Sequence, residues 1–536
     1  MKPYSAMKAY YLNLINEIKA NPTGLFKDSN CLFLIYVSLI IFCVMNTGLT
    51  SDDLGHMFDS KKESLAELLT PNENYINVPV LRYTHHISYS LIEIDKQDLL
   101  NLFKVSYVIL SFCLISSFFS IYLEKKTAFF LSFLFIFFPS HDSTVYLYLA
   151  QYLTLTFAFY FYAFYLAHNS RMIYGFFWAL IASFTSYGSP AIAVSLFILF
   201  VIQKEWKKGM VILIPNIIFS IHFIISSELL SLSKPRFMEK IELTMTIKLY
   251  IFQIMTFMDS MFGPSMWLKI YYSFFQLSGV SWLIGILLAV VFSRTNWKDN
   301  SKYNPNLIIC FSILTLSSFL MFAMTGLYPQ LTFNLGNRTT IFGSLLISYL
   351  IVLMPVQQKV KNVFFAILLL SIIGISDHWK EWSRNQQTVF ENIKNNQDFL
   401  NYDENDLIYV SGNQYSRYGP ISHIELFSER WSAVALLIIL ERDISVAIIN
   451  KRFIYANGLL TDTKYNKKLK VGRYINIYDS ESNKLFKLKA DKINDYIKTL
   501  PEDNRHWVML SNNALTNIIK SIAVKFMPRL EYAFSQ

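Results

Sequence analysis

The sequence contains few charged residues. Asp, Glu, Lys and Arg together make up 16% of its 536 residues, whereas soluble domains average about 25%. Hydrophobic residues make up 53%, and the mean hydropathy is +0.33. This composition excludes a soluble globular enzyme, a disordered chain and a collagen-like fibre. It predicts a polytopic α-helical membrane protein.

Cysteine is also scarce. Each of the four cysteines lies inside an apolar run, where cysteine behaves as a small hydrophobic residue. Their spacing fits neither a disulfide framework nor a zinc site. The four are Cys31, Cys43, Cys113 and Cys310.

The first apolar run, residues 30–49, has no small-residue cleavage site after it. We therefore expect a retained first span and not a cleaved signal peptide. Apolar runs of this length recur along the chain and predict about eleven spans, three of them short. The predicted spans are 30–49, 105–123, 127–139, 145–167, 172–187, 191–203, 209–226, 271–293, 306–326, 339–355 and 362–376.

The positions of Lys and Arg predict the orientation. The short loops around 140–143 and 187–190 contain neither, whereas the segments on the opposite side are all basic. Basic loops face the cytoplasm, so we expect a cytoplasmic N-terminus. The same bias explains the net charge of +10 without a nucleic-acid partner. Basic residues that mark the inner side include Lys2, Lys125, Lys126, Arg171, Lys207, Lys208, Arg294, Lys298, Lys359 and Lys361.

The stretch 247–270 leaves the topology open. If this stretch were a span, the membrane orientation of every later segment would be inverted. Arg294 would then lie outside, against the basic-loop rule. Gly263, Pro264 and Asp259 favour a re-entrant or surface helix instead. On that interpretation the outer segments are the loops 50–104 and 227–270, the short loop 327–338 and the tail 377–536.

The tail is predicted to be a small α+β domain, separate from the membrane domain 1–376. A polar helix from residue 377 precedes β-like runs at 407–410, 444–449 and 473–478. Helical patterns at 491–500 and 513–526 complete it. About 160 residues suffice for one independent outer domain.

Acidic residues follow the outer end of the first predicted span. Asp52 and Asp53 lie in the string TSDDLGHMFDS, and His56 follows one turn later. Paired carboxylates at a membrane surface can act as a general base or hold a divalent cation. Ser51 and Asp52 are alternatively good caps for a surface helix.

A second acidic position lies in the next short outer loop, FFPSHDST. His141 and Asp142 are held there between two apolar spans, and ionisable groups at such depth are functional candidates. Capping of the following span by Ser140, Asp142 or Ser143 is the alternative. We expect the carboxylates of the two loops to converge on one cavity.

Basic residues on the same side could bind a phosphate. Arg338, just before a predicted span, offers a planar fork of donors suited to a phosphate, although an interfacial arginine can also simply snorkel. The first loop adds weaker candidates, which are Arg82, His85 and His86. Lys234 and Arg236 form a cluster that could attract an anionic lipid head group.

The motifs SDD at 51–53 and HD at 141–142, the many spans and the outer tail resemble the GT-C superfamily of integral-membrane glycosyltransferases. Within it the layout is most similar to bacterial enzymes that modify O-antigen and other surface glycans, including serotype-converting glucosyltransferases. The resemblance implies transfer of a sugar from a polyprenyl-phosphate carrier to an acceptor hydroxyl on the outer side of the bacterial inner membrane.

The resemblance also implies residue roles. Asp52 or Asp53 would be the catalytic base or a metal holder, Asp142 would support it, and Arg338 would bind the donor phosphate. Some families of this kind use Mg²⁺ or Mn²⁺ and others no metal, so the cofactor stays open. Three other interpretations stay open: an O-antigen polymerase or ligase, a lipid-linked-sugar transporter or flippase, and a membrane scaffold whose acids only cap helices.

Overall fold

The structure is a computed structural model of the full chain. It describes residues 29–64, 67, 75–94, 96–230, 242–294, 304–326, 328–401, 407–412, 415–442, 444–510 and 513–526. Lys234 and Arg236 lie outside these residues, so the predicted lipid-binding cluster is not described.

Helices dominate the region up to residue 395. Their starts follow local chemistry: Pro79, Pro264 and Pro305 occupy first-turn positions, where the missing N–H costs no hydrogen bond. The helices are α1 (Ser29–Val44), α2 (Ser51–Lys62), α3 (Pro79–Leu91), α4 (Asp98–Phe119), α5 (Lys125–Ile136), α6 (Ser143–Tyr146), α7 (Gln151–His168), α8 (Met172–Ser183), α9 (Ser189–Ile202), α10 (Trp206–Ile224), α11 (Leu243–Met261), α12 (Pro264–Phe274), α13 (Gly279–Arg294), α14 (Pro305–Thr325), α15 (Ile341–Leu353) and α16 (Gln358–Asn395).

Six helical segments among the described residues are long and apolar enough to cross a membrane, or seven if one bent pair forms a single span. They indicate a membrane protein. A helix stands at each of the eleven predicted spans, but several helices are short: α1, α8 and α9 have 16, 12 and 14 residues. The six segments are Asp98–Phe119, Tyr148–His168, Trp206–Ser227, Pro305–Thr325, Leu335–Leu353 and Gln358–Asn395.

The bent pair covers the stretch that the sequence left open. Residues Leu243–Phe274 and Gly279–Val290 meet at 113°, as in a broken span or a re-entrant loop. The predicted break at Gly263 and Pro264 separates α11 from α12, but the sharp bend follows Phe274. Residues 271–274 therefore belong to α12 and not to the next predicted span. A close approach fixes this corner, since a Cβ on Gly374 of α16 would lie 2.1 Å from the Ser273 carbonyl oxygen.

The C-terminal region contains the predicted α+β pattern. The three β-like runs form β1, β4 and β8. In a four-stranded sheet of order β4-β1-β8-β9, β1 pairs in parallel with β4 on one side and with β8 on the other. The remaining strands form two smaller antiparallel sheets. The strands are β1 (Leu407–Ser411), β2 (Tyr415–Tyr418), β3 (Ile421–Glu425), β4 (Ser445–Ile448), β5 (Phe453–Ala456), β6 (Leu459–Asp462), β7 (Lys467–Lys470), β8 (Tyr474–Asp479) and β9 (Lys484–Lys489).

Four helices accompany these strands: α17 (Arg430–Ala433), α18 (Ala435–Leu440), α19 (Ile493–Thr499) and α20 (Ala514–Phe526). The last two match the helical patterns predicted at 491–500 and 513–526. The boundary predicted between 376 and 377 falls inside α16, which runs unbroken from the apolar region to Asn395. The helices α17 and α18 pack against α2 and connect the two regions.

Candidate functional site

A cavity of about 800 Å³ lies between the helical bundle and the C-terminal region. Its wall is built from α2, α3, α7, α10, α14 and α15, from the turn before α9, and from α17. One end carries ionisable side chains and another part is apolar, so the cavity suits an amphipathic molecule. Its ionisable residues are Asp52, His56, Asp59, Tyr75, Tyr152, Tyr187, Tyr328 and Arg338.

Asp52 and Arg338 face each other in this cavity. Thr50 caps α2, which places Asp52 in the first helical turn, and Arg338 lies in the 3-10 turn Leu335–Thr340 before α15. The Arg338 Nη1 to Asp52 Oδ2 distance is 3.6 Å, and the two side chains are 25% and 23% exposed. Trp431 of α17 donates its Nε1–H to Asp52 Oδ1 at 3.1 Å. Asp52 thus keeps an accessible carboxylate beside a fixed cation.

His56 and Asp59 continue the polar face of α2. The spacing 52, 56 and 59 repeats at one helical turn and brings the three side chains into the same cavity. His56 Nδ1 lies 2.6 Å from the Tyr75 hydroxyl. Burial lowers the pKa of His56 and raises the pKa of Asp59. Asp59 was absent from the sequence prediction, although its helical spacing from Asp52 could have revealed it.

The apolar part of the cavity is formed by α10 and α14. Phe219 and Phe223 of α10 and Phe322 of α14 line it. Neighbouring side chains on the same helices are exposed, with Ile221 at 53% and Leu320 at 48%. Exposed apolar side chains on candidate spans contact lipid in a membrane. The apolar wall of the cavity therefore adjoins the lipid-facing surface.

Asp53 does not line the cavity. Its Oδ2 accepts from the Thr50 backbone N–H at 2.9 Å and from the Thr50 hydroxyl at 3.1 Å. Its Oδ1 accepts from the Tyr89 hydroxyl and, at 3.1 Å, from the Leu149 N–H. Burial raises the pKa of Asp53, while Lys104 and these hydrogen bonds act against that rise. The carboxylate is fully buried and engaged in holding the start of α2.

Asp142 also lies outside the cavity, in a buried cluster. The prediction that all three carboxylates converge on one cavity is therefore wrong. Of the three, Asp52 alone lines the cavity. Burial would raise the pKa of Asp142, but nearby Lys269 and His423 lower it, and the net pKa lies below its usual value. Four donors saturate the carboxylate: Lys269 Nζ at 2.7 Å, Trp379 Nε1 at 2.8 Å, His423 Nε2 at 2.9 Å and the Asn337 amide.

This buried cluster joins distant segments of the chain. Lys269 comes from α12, Trp379 from α16 and His423 from β3 of the C-terminal region. Burial lowers the pKa of His423, so a neutral imidazole that donates from Nε2 fits its place beside the carboxylate. Nothing in the local sequence marked Lys269 or His423, because their partner lies 127 and 281 residues away.

The predicted histidines and Arg82 lie away from the cavity lining, except His56. His141 is buried, its Nδ1 is 2.8 Å from the Thr144 hydroxyl, and burial lowers its pKa to about 4. His85 Nε2 lies 3.1 Å from the Tyr148 carbonyl oxygen, and burial lowers its pKa to about 4. The sequence suggested functional roles for both histidines, and the structure places both in the protein interior.

Arg82 and His86 both contact Glu63. The Arg82 Nη2 distance to Glu63 Oε2 is 3.3 Å, and that of His86 Nε2 is 2.8 Å. This group joins α3 to the end of α2. A phosphate would have to compete with Glu63 for both side chains.

Among the described residues, no group of three or more His, Cys, Asp or Glu side chains is placed to hold a metal ion. The Mg²⁺ or Mn²⁺ suggested by the resemblance therefore stays a prediction. Neither a family model nor a curated protein matches the chain.

Proposed function

We propose that the protein is a GT-C-type membrane glycosyltransferase that moves a sugar from a polyprenyl-phosphate carrier to a hydroxyl of a bacterial surface glycan such as O-antigen. One observation carries the proposal. A single cavity pairs an accessible carboxylate and an arginine with an apolar wall beside the lipid-facing surface. A lipid-linked sugar phosphate has the same division into an anionic head and an apolar tail.

Asp52 is the proposed general base. It takes the proton of the acceptor hydroxyl, whose oxygen forms a bond to the anomeric carbon of the donor sugar. The bond from that carbon to the phosphate oxygen breaks, and the electron pair leaves with the polyprenyl phosphate. Attack opposite the leaving group inverts the configuration at the anomeric carbon.

Arg338 is the proposed phosphate ligand. Its guanidinium would bind the donor phosphate and neutralise the charge that grows as the glycosidic bond breaks. The 3.6 Å separation from Asp52 places base and leaving-group ligand at one end of the cavity. Orientation of both groups before reaction lowers the entropic part of the barrier.

Asp53 and Asp142 are assigned positioning roles. Asp53 fixes the first turn of α2 and with it Asp52. Asp142 binds Asn337, the residue immediately before Arg338. Asp53 is thus anchored directly beside Asp52, and Asp142 anchors the residue beside Arg338.

We place the protein in the bacterial inner membrane, with its N-terminus in the cytoplasm and the C-terminal region outside. The support is the distribution of Lys and Arg between predicted loops. The donor lipid stays in the bilayer, so the reacting end of the cavity must lie near the membrane surface. The apolar wall formed by α10 and α14 supports the proposal, because it offers the donor lipid a surface within the cavity.

The test compares surface glycans by mass spectrometry in a deletion strain complemented with the wild type, Asp52→Asn or Asp98→Asn. Asp98 is the matched control, because it also occupies the first turn of a helix but is exposed and lies outside the cavity. We expect Asp52→Asn to slow modification by about 10²- to 10⁴-fold, with normal protein levels, and Asp98→Asn to match the wild type. A glycan identical in all strains, the deletion included, would refute the function.

A further inference from the structure

Trp431 of α17 closes one side of the cavity beside Asp52. Besides its hydrogen bond to Asp52, the indole packs on Gly55, where a Cβ would lie 3.1 Å from the Trp431 Cβ. The side chain nevertheless stays 38% exposed. A large aromatic face is therefore held at the rim of the cavity and not in a core.

Tyr465 extends this aromatic surface away from the cavity. Its ring centroid lies 6.3 Å from that of Trp431, with the ring planes at 65°. Tyr465 is 49% exposed. We call the surface of these two rings the aromatic shelf.

A buried ion network lies beside the shelf and connects the chain segments that carry its two rings. Glu429, the residue before α17, accepts from Arg452 at 2.7 Å and from Lys464 at 2.5 Å. The Arg452 guanidinium also lies 5.5 Å from the Tyr465 ring centroid. Glu429 is 2% and Arg452 7% exposed, and a buried pair of this kind is well defined in geometry. The network thus fixes the backbone on both sides of the shelf.

We propose that the aromatic shelf binds the acceptor saccharide, an inference that rests on the proposed function. The reaction needs two substrates at Asp52. The donor takes the apolar wall and Arg338, so the acceptor must approach from another side, and Trp431 lies against Asp52 there. Aromatic faces carry negative charge, and the C–H groups of a pyranose carry partial positive charge, so sugar rings stack on such faces. A saccharide on the shelf would present a hydroxyl to Asp52.

The test measures binding and not transfer. The full-length protein with Asp52→Asn, which retains an oxygen acceptor for the Trp431 N–H, is reconstituted in nanodiscs. It is titrated calorimetrically with surface glycan extracted from a strain that lacks the gene. We expect Trp431→Ala to raise Kd about tenfold or more, Tyr465→Ala about threefold, and Trp431→Phe less than either, because Phe keeps an aromatic face.

Tyr474→Ala is the matched control. Tyr474 is 46% exposed in the same region and lies 5.6 Å from the Arg473 guanidinium, but it does not line the cavity. The Kd of the Tyr474→Ala protein for the glycan should equal that of the parent protein. Equal Kd values for Trp431→Ala, Tyr465→Ala and Tyr474→Ala would overturn the shelf, as would a parent protein that binds no glycan.

Sugar transfer is measured separately, by mass spectrometry of the surface glycan in the complemented strains. Shelf-dependent binding with no change in the surface glycan would uphold the saccharide site and reject the glycosyltransferase. A changed glycan with shelf-independent binding would do the opposite. The two proposals therefore fail in different measurements.

Discussion

The cavity rim and the buried cluster around Asp142 place the same functional group in opposite settings. Asp52 is 23% exposed and meets one indole N–H and one guanidinium at 3.6 Å. Asp142 is 2% exposed and accepts from four donors. A carboxylate with unused lone pairs and access to a cavity can take up a proton, whereas a saturated one mainly holds its partners in place.

The two settings are connected through a single turn. Asn337 donates to Asp142, and the next residue, Arg338, faces Asp52. A rigid cluster thus lies directly behind a more accessible pair. The comparison predicts that changes at the cluster alter stability first, whereas Asp52→Asn alters activity without altering stability.

The largest expected effect on stability follows removal of the cation from the cluster. Lys269→Met would leave Asp142 buried without its main counter-ion, and breaking a buried ion pair in this way costs about 3–5 kcal/mol. Thermal unfolding in detergent should show this loss.

Lys498→Met is the control for that change. Its pair with Asp495 is of the same type, at 3.1 Å, but the side chains are 75% and 78% exposed. An exposed ion pair contributes little to the free energy of unfolding. The unfolding midpoint of Lys498→Met should therefore stay close to that of the wild type. Equal effects of the two substitutions would show that the cluster is not a stabilising element.

A smaller effect is expected at Asp53. Each of its oxygens faces two donors, so Asp53→Asn must direct an amide N–H₂ at a donor whichever way the amide is oriented. Unmet hydrogen bonds of this kind cost about 1–3 kcal/mol. Denaturant unfolding would measure the cost, with Asp98→Asn as the neutral comparison. An Asp53→Asn protein of full stability but no activity would make Asp53 the base, as the sequence allowed.

The pH dependence of stability should reveal the buried imidazoles. The pKa of His85 is about 4 in the folded protein and 6.5 ordinarily, so the unfolded chain binds the proton more readily. The stability from His85 is complete above pH 6.5 and is lost as the pH falls towards 4. His85→Gln should flatten the decline in unfolding midpoint between these pH values. An unchanged slope would show that His85 is not kept neutral in the fold.

The sequence predicted the coarse architecture because its signals are local. Apolar runs predicted a helix at each of the eleven positions, and alternating runs predicted β1, β4 and β8. Capping also acts within one turn, so a capped helix after residue 50 could be predicted from Ser51 and Asp52, although the structure caps it one residue earlier, with Thr50. The start of α2 at Ser51 agrees with that pattern.

The distribution of roles among the acids could not be predicted in the same way. Asp52 and Asp53 are adjacent, and the contacts that engage Asp53 in the interior come from Tyr89 and Leu149, 36 and 96 residues later. Trp431 reaches Asp52 across 379 residues. Such contacts depend on the packing of the C-terminal region on α2, for which a single sequence carries no periodic signal.

The smallest expected effect concerns the group around Glu63, which is 25% exposed. Glu63→Gln keeps one oxygen acceptor for Arg82 and His86, whose side chains are 6% and 10% exposed, so we expect it to lower the free energy of unfolding by about 0.5–1.5 kcal/mol. Because neither basic residue lines the cavity, Arg82→Gln should leave the donor concentration for half-maximal transfer unchanged, whereas Arg338→Gln should raise it. A rise for Arg82→Gln as large as that for Arg338→Gln would return Arg82 to the phosphate-binding role that the sequence suggested, and would mean that the donor reaches beyond the cavity.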